Sequence, residues 1–511
     1  VAEPDLARTQ ATDSSFSARR WTLIAASTAT FMVMLDSTAV TMALPGMRAE
    51  LDADFNGQQW VVVAHAVPLA AFLLTGGALA DRFGRRRAFR AGALLFTAGS
   101  VAAGVVGTLL ALAIARGLQG VGSALLLATA STLVAQEFPG AARGRVFGGL
   151  ATAATLGLAL GPAVGGGLAE VDWRLVFLSV LPVGVLLLAI GEVRLRVDRP
   201  TATTPVDWPG FVLLSACLAL VVLGLLRGQA LGWTSTPVLA MFAGAELLLV
   251  VFLLVERARG DKAMLELALF GNRTFLGVSL VTLLSSAISL AAVFLEVLHL
   301  QNVLGHSPLG AGLRLFPLTL TLIATTAVTR RIGTRFPPGV VVGTSTLLIT
   351  IGAGLITLVG PDSTWAALLP SMIVLGAGMG IGIVVRHDYS ARAVEPHTAN
   401  TATRINETCH HVGVALGVAA FGALFQYRVV TGIDRQDLTA TTGHQTGDIG
   451  RAVAAGADEG LLPAGVAGIV RGVSVASLGF VAIVCVVVGT VIAFVAFAYI
   501  HRRDLHPTVT P

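Results

Sequence analysis

Charged side chains set inside long apolar runs are the residues of this chain best placed to do chemistry. Asp36 stands within the apolar run 22–46, Arg116 within 109–135, Glu296 within 275–298 and Arg314 within 309–329. A carboxylate in such a setting is costly unless a partner or water meets it, so it is a functional candidate by default. Beside a base it can alternate between a protonated and a paired form, which is the chemistry of proton carriage rather than of bond cleavage. Taken as antiparallel spans, the first and fourth runs place Asp36 about 10 and Arg116 about 7 residues from the same edge, within roughly 5 Å in depth. The two read either as a coupling pair or as a purely structural one. Glu296 and Arg314 each lie nine residues from Gly305, with His299 between them. They read as an ion pair stapling two neighbouring helices, or as a second proton or cation site. Glu246, midway along another run, receives no role.

Other chemistries lack their residues. The single lysine, Lys262, sits between Asp261 and Ala263, so no Walker loop ends in the required Gly-Lys-Ser/Thr and ATP is not the energy source. Cys217, Cys409 and Cys485 are far apart and show no metal-ligand spacing, so no metal, disulfide or cofactor is expected. His410 and His411 are adjacent, point about 100° apart on a helix and read as polar residues near a helix end. With no nucleophile and base at helical spacing, the chain is not expected to be an enzyme.

The elements that must position these residues follow from composition. The chain of 511 residues is 55% hydrophobic and only 12% charged, with a mean hydropathy of +0.81. A soluble domain carries about twice that charge. Apolar runs long enough to cross a bilayer recur fourteen times, over 22–46, 59–80, 88–107, 109–135, 146–169, 174–193, 208–226, 236–255, 275–298, 309–329, 339–359, 365–385, 407–427 and 473–500. With the N-terminus inside, twenty-five of the thirty-four basic residues fall inside, seven fall outside, and Arg116 and Arg314 lie within spans. That asymmetry follows the positive-inside rule and fixes an even number of spans with both termini cytoplasmic. The formal charge of +5 therefore reports membrane topology and lipid contact, not a nucleic-acid partner. Thirty-three arginines against one lysine point to GC-rich coding and a bacterial inner membrane. The first run follows Arg19-Arg20, is too long for a signal peptide and lacks a cleavage-type ending.

A faint repeat divides the chain. Asp81-Arg82-Phe83-Gly84-Arg85-Arg86-Arg87 follows the second run, and Arg330-Arg331-Ile332-Gly333-Thr334-Arg335 follows the tenth. The expected organisation is a tail over 1–20, six helices over 21–193, a linker over 194–206, a two-helix insert over 207–256 and a linker over 257–274. Six more helices occupy 275–500, interrupted by a long outer loop over 429–471, and a second tail covers 501–511. Paired repeats of this kind build transporters with a midplane site that opens to either side. In the motif after the second run, Gly84 permits a tight turn and the arginines can meet anionic lipid or a neighbouring helix end. Gly157, Gly161 and Gly165 recur every fourth residue, which puts them on one helix face and allows another backbone to approach closely. Pro162 removes a backbone donor from the same helix.

In these motifs the chain resembles the fourteen-helix drug:proton antiporter branch of the major facilitator superfamily. The resemblance rests on Leu35-Asp36-Ser37-Thr38 through Leu44-Pro45, on Gly77 through Asp81-Arg82-Phe83-Gly84-Arg85-Arg86, on Arg116-Gly117-Leu118-Gln119-Gly120, and on Gly157 through Gly161-Pro162-Ala163-Val164-Gly165-Gly166. It continues through Asp172-Trp173-Arg174, Gln301 to Pro308 and Gly413 to Gly417. Thr41 and His65 depart from it, standing where Asn and Tyr are usual. It implies an all-α membrane protein with two six-helix bundles and a two-helix insert. It further implies a gate at Gly77, Asp81, Arg82, Gly84, Arg85 and Arg86, and leak-tight packing of the two halves at Gly157, Gly161, Pro162, Gly165 and Gly166. The expected activity is proton-coupled efflux of small lipophilic or cationic drugs by a monomer, with Asp36, Arg116 and Glu296 in proton coupling. Export of one self-made compound, or uptake and exchange of a metabolite, is the alternative. The orientation makes one test immediate: a topology reporter fused after Gly443 should read outside, and a cytoplasmic reading would overturn the assignment.

Overall fold

The structure is a computed structural model and describes residues 3–138, 141–195, 206–395, 398–436, 450, 453, 464–500 and 505. Among these residues there is no strand, and fourteen helices are long and apolar enough to cross a membrane. They are α1 (Arg19–Leu51), α2 (Phe55–Phe83), α3 (Arg85–Val105), α4 (Leu109–Glu137), α5 (Val146–Val171), α6 (Arg174–Val193) and α7 (Trp208–Leu231). The second seven are α8 (Thr236–Arg259), α9 (Arg273–Val303), α10 (Pro308–Ile332), α11 (Pro338–Leu358), α12 (Trp365–Arg392), α13 (Thr401–Asp434) and α14 (Val466–Tyr499). In hydrocarbon every backbone N–H and C=O must find its partner within the segment, so long apolar runs have no alternative to helix. Polar caps settle several starts. The side chains of Asp54, Thr108, Asp207, Asn272 and Ser307 each accept a backbone N–H in the first turn of α2, α4, α7, α9 and α10.

Each expected span coincides with one helix, but several ends differ. Helical backbone begins at Glu3, inside the expected tail. The helix containing α13 continues to Asp434 and the last helix starts at Ala464, so both ends of the expected loop 429–471 are helical. Residues 437–449, 451–452 and 454–463 of that loop, the linker residues 196–205 and most of the tail 501–511 lie outside the described residues. Arg386 and Arg404, counted as loop charges by hydropathy, belong to α12 and α13. A helix continues across such a charge when neighbouring helices supply its partner, which a hydropathy window cannot see.

In the first half α1 packs on α5, and α2 and α3 pack on α4. In the second half α9 packs on α13, α10 and α11 on α12, and α11 on α14. The halves meet where α2 faces α13 and α5 faces α10. The insert helices α7 and α8 pack on each other, and α7 lies against α2 and α13, with Phe72 and Phe211 in edge contact at 4.4 Å. Asp207 accepts the backbone N–H of Met264 and Glu256 that of Leu265, which ties the segment after α8 back to the insert.

The glycine stripe of α5 mates with α1, inside the first half. A side chain at Gly157 would meet the Phe31 carbonyl and Met34, one at Gly161 would meet Thr38 and the Leu35 carbonyl, and one at Gly165 would meet the Ala39 backbone. Contact between the halves falls to their neighbours: Gly166 abuts the Pro308 carbonyl and the Pro162 carbonyl abuts Gly312 of α10. The stripe thus serves to press α5 onto residues 31–39 of α1, the stretch that carries Asp36.

Candidate functional site

Asp36 and Arg116 meet. Arg116 Nη1 donates to Asp36 Oδ2 at 2.8 Å, and Gln119 Nε2 donates to Asp36 Oδ1 at 2.9 Å, so both carboxylate oxygens are engaged. Asp36 and Arg116 are each 2% exposed and Gln119 is wholly buried, so the pair is weakly screened. One turn of α4 sets the geometry, because residues three apart share a face. From that face Arg116 also donates through Nε to the Val61 carbonyl of α2 at 3.1 Å. Gln119 is braced in turn by Ser100 of α3 at 3.2 Å, whose hydroxyl donates to the Phe177 carbonyl of α6 at 2.9 Å. The network therefore joins α1, α2, α3, α4 and α6 around one carboxylate.

His65 of α2 is the member that sequence reasoning passed over as a mere departure from pattern. Its Nδ1 lies 3.8 Å from Asp36 Oδ2, and its Nε2 lies 3.4 Å from the Ser123 hydroxyl. Gly120 allows this approach, since a side chain there would strike the His65 carbonyl. The signal was present as spacing: Gln119, Gly120 and Ser123 follow Arg116 on adjoining faces of α4.

The interior between the halves holds a cavity. Arg116 and His65 belong to its wall on the first half, whereas Arg386, His410 and His411 belong to its wall on the second. His410 and His411 are thus not end-of-helix residues. The helix carrying them begins at Ala399, and His410 Nδ1 lies 2.6 Å from the Ser286 hydroxyl of α9.

Glu296 and Arg314 do not meet. Glu296 is buried, with Oε1 accepting from the Ser371 hydroxyl of α12 at 2.7 Å and Oε2 without a partner. Arg314 donates to the Gly310 carbonyl at 2.9 Å and lies over the Trp365 ring. Equal distance from a turn fixes depth but not which face a side chain leaves from. Here the helix also passes into a π-helical turn over His299–Val303, which shifts that face. His299, buried within this turn, has no partner for either ring nitrogen. Glu246 is exposed on the outer side of α8, away from the cavity.

At the end of the molecule bearing the Arg-rich motif, Gly84 takes a φ of 96° and separates α2 from α3. That is left-handed backbone, which glycine alone adopts without strain. Asp81 Oδ1 pairs with Arg85 at 3.1 Å, and Arg85 also reaches Gln136 of α4 at 2.9 Å. Arg86 caps the end of α6 through the Gly191 carbonyl at 2.8 Å, while Arg82 stays exposed. The second half enters this motif directly: the Arg404 guanidinium of α13 lies against Gly77, where any side chain would displace it, and within electrostatic reach of Asp81. At the same end Arg330 of α10 donates to the Gly148 carbonyl and to Thr152 of α5. At the opposite end Glu170 of α5 accepts the Leu309 N–H of α10 at 3.1 Å, and Gln59 of α2 donates to the Val418 carbonyl of α13 at 2.6 Å. The halves touch at both ends and the cavity lies between.

The model of the Major Facilitator Superfamily matches residues 26–418. The chain is 34% identical to the probable actinorhodin transporter of Streptomyces coelicolor over 427 residues, 80% of this chain and 73% of that protein. It is 31% identical to the multidrug efflux pump LfrA of Mycolicibacterium smegmatis over 441 residues, 85% of this chain and 86% of that protein. Among solved structures, a bacterial homologue of the human lysosomal transporter Spinster, inward-facing and occupied, shares the fold with a TM-score of 0.66 at 18% identity. That match covers 96% of this chain and 99% of the other.

The buried pair has a measurable signature. Asp36→Asn leaves the Arg116 guanidinium buried without its counter-charge, which costs about 3–5 kcal/mol in comparable pairs. Thermal unfolding in detergent should shift clearly downward for Asp36→Asn and recover most of the loss in Asp36→Asn/Arg116→Met. An unshifted single variant would show that the pair does not carry the stability of the first half.

Proposed function

Because the chain belongs to the Major Facilitator Superfamily, we propose that it is a proton-coupled exporter of drugs or antibiotics, working by alternating access in a bacterial inner membrane. The observation that carries the coupling is that Arg116 and His65 contact Asp36 and also form part of the cavity wall. Ionised Asp36 holds Arg116 and Gln119 and so clamps α1 to α4. A proton on Asp36 removes the charge that Arg116 answers, releases the clamp and changes the shape of the wall a substrate touches. Proton and substrate then favour different states of one structure, which is the condition for exchange. Glu296, buried beside Ser371 in the second half, is the reserve carboxylate for the same task.

The Arg-rich motif acts as the gate on the cytoplasmic side. Asp81, Arg85 and Arg404 bring α2, α3 and α13 together there, so the contact closes when the halves close and parts when they part. Both termini lie on that side in this reading. Several relatives are named for a single compound, among them the tetracenomycin C resistance and export protein of Streptomyces glaucescens, 32% identical over 81% of this chain and 78% of that protein. Their names favour, as a second reading, export of one particular compound over multidrug efflux.

Purified protein in vesicles decides the coupling. The wild type should accumulate a lipophilic dye against its gradient when a pH gradient is imposed. Asp36→Asn should lose that uphill movement while keeping downhill exchange. Uphill transport by Asp36→Asn would move the coupling to Glu296. In the same vesicles Asp81→Asn should slow transport several-fold at normal abundance and thermal stability, and an unimpaired rate would return the motif to a topological role.

A further inference from the structure

The described cavity wall carries charge of one sign only. Its ionisable members are Arg116, Arg386, His65, His410 and His411, and no carboxylate is among the lining residues. Two carboxylates stand behind wall residues and are already taken: Asp36 by Arg116 and Gln119, and Glu407 by Arg386 Nε at 2.7 Å. Eight serine and threonine hydroxyls complete the polar lining, and the remaining lining residues are aliphatic apart from Met34, Met379, Pro162 and Gly382.

The second half supplies polar groups that are unspent. His411 is 4% exposed and its Nε2 has no partner; Ser285 is 8% exposed and its hydroxyl has none. His411 stands within electrostatic reach of Glu407 and its partner Arg386 and of His65, so the polar groups of α2, α12 and α13 form one cluster rather than scattered points. Buried polar groups without partners are uncommon, and a ligand seated beside them is one way they are satisfied. A cation entering here would leave its hydration shell and find no carboxylate among the described lining residues, since Asp36 and Glu407 are held behind the wall by its arginines, and an uncompensated desolvation excludes a ligand as effectively as an attractive contact admits one. An oxygen acceptor such as a carboxylate, phenolate or quinone carbonyl would find the Ser285 hydroxyl, and His411 when its proton is on Nε2, beside the paired Arg386.

We propose that the cavity selects lipophilic molecules bearing anionic or acceptor oxygens and rejects cations, with His411 and Ser285 as the specificity-determining donors. The proposal rests on the exporter reading for the role of the cavity and replaces the expectation of a cationic substrate. It also divides the labour: the first half holds the proton site at Asp36, and the second half holds the substrate's oxygen.

Two xanthene dyes of similar size and opposite charge provide the test, fluorescein as the anion and rhodamine 6G as the cation. Equilibrium binding to the full chain in detergent, with no gradient, should favour fluorescein by tenfold or more. His411→Leu and Ser285→Ala should each weaken fluorescein binding at least fivefold and leave rhodamine 6G binding unchanged or tighter, at unaltered thermal stability. Tighter or equal binding of rhodamine 6G, or no binding of fluorescein, would overturn the proposal. Gradient-driven accumulation of the bound dye in vesicles is scored separately. Binding selectivity without pH-driven transport would refute the exporter reading alone, and pH-driven transport of rhodamine 6G in preference would refute the charge selection alone.

Discussion

A guanidinium and a carboxylate shut away from water must neutralise each other, and much of the first half is arranged to let Arg116 and Asp36 do so. The pair could not survive alone in hydrocarbon, where each ion separately is expensive. Its cost is offset by saturating the hydrogen bonds: Gln119 occupies the second carboxylate oxygen, the Val61 carbonyl takes Arg116 Nε, and Ser100 steadies Gln119 from α3. Every one of these partners comes from a different helix or a different turn, so the network holds only while five helices keep their places. A change in the charge of one oxygen is thereby a change in the packing of the half.

Close helix approach makes that sensitivity usable. The α5 glycines set the α1 backbone against α5 over residues 31–39, and Gly92, Gly99 and Gly122 do the same between α3 and α4, where added side chains would strike facing backbone. Packing by small residues without interlocking large side chains resists separation yet leaves few obstacles to sliding. Between the halves, close contacts such as Gly166 on Pro308 and Phe55 on Phe294 and Phe425 are joined at the ends by polar contacts around Asp81, Arg330, Glu170 and Gln59. Tight halves joined by separable ends are what rocking about a central cavity requires.

Fourteen helices were legible because the bilayer reduces the choice of structure to a length of apolar chain. The Asp36–Arg116 contact was legible for a related reason, since antiparallel spans turn residue number into depth. Depth is only one coordinate. Glu296 and Arg314 share it and still miss each other, because the π-helical turn at His299–Val303 and the Trp365 ring settle their directions, and neither can be read from spacing. Arg386 was hidden one residue beyond an apolar run, and His411 looked terminal because the polar residues before it obscured the true start of its helix at Ala399. Arg386, His410 and His411, which interrupt the hydropathy profile, line the cavity, so the profile is least informative there.

Everything in this account depends on Asp36 changing its protonation state rather than remaining a fixed anion beside Arg116. Infrared difference spectroscopy of the purified protein, recorded as the pH is lowered, observes that change directly through the C=O stretch of a protonated buried carboxyl group. The wild type should gain such a band on acidification, and Asp36→Asn should lack it while keeping the rest of the difference spectrum. Superimposable spectra from the two proteins would show that Asp36 does not titrate, and would leave the network a structural brace with the coupling site elsewhere.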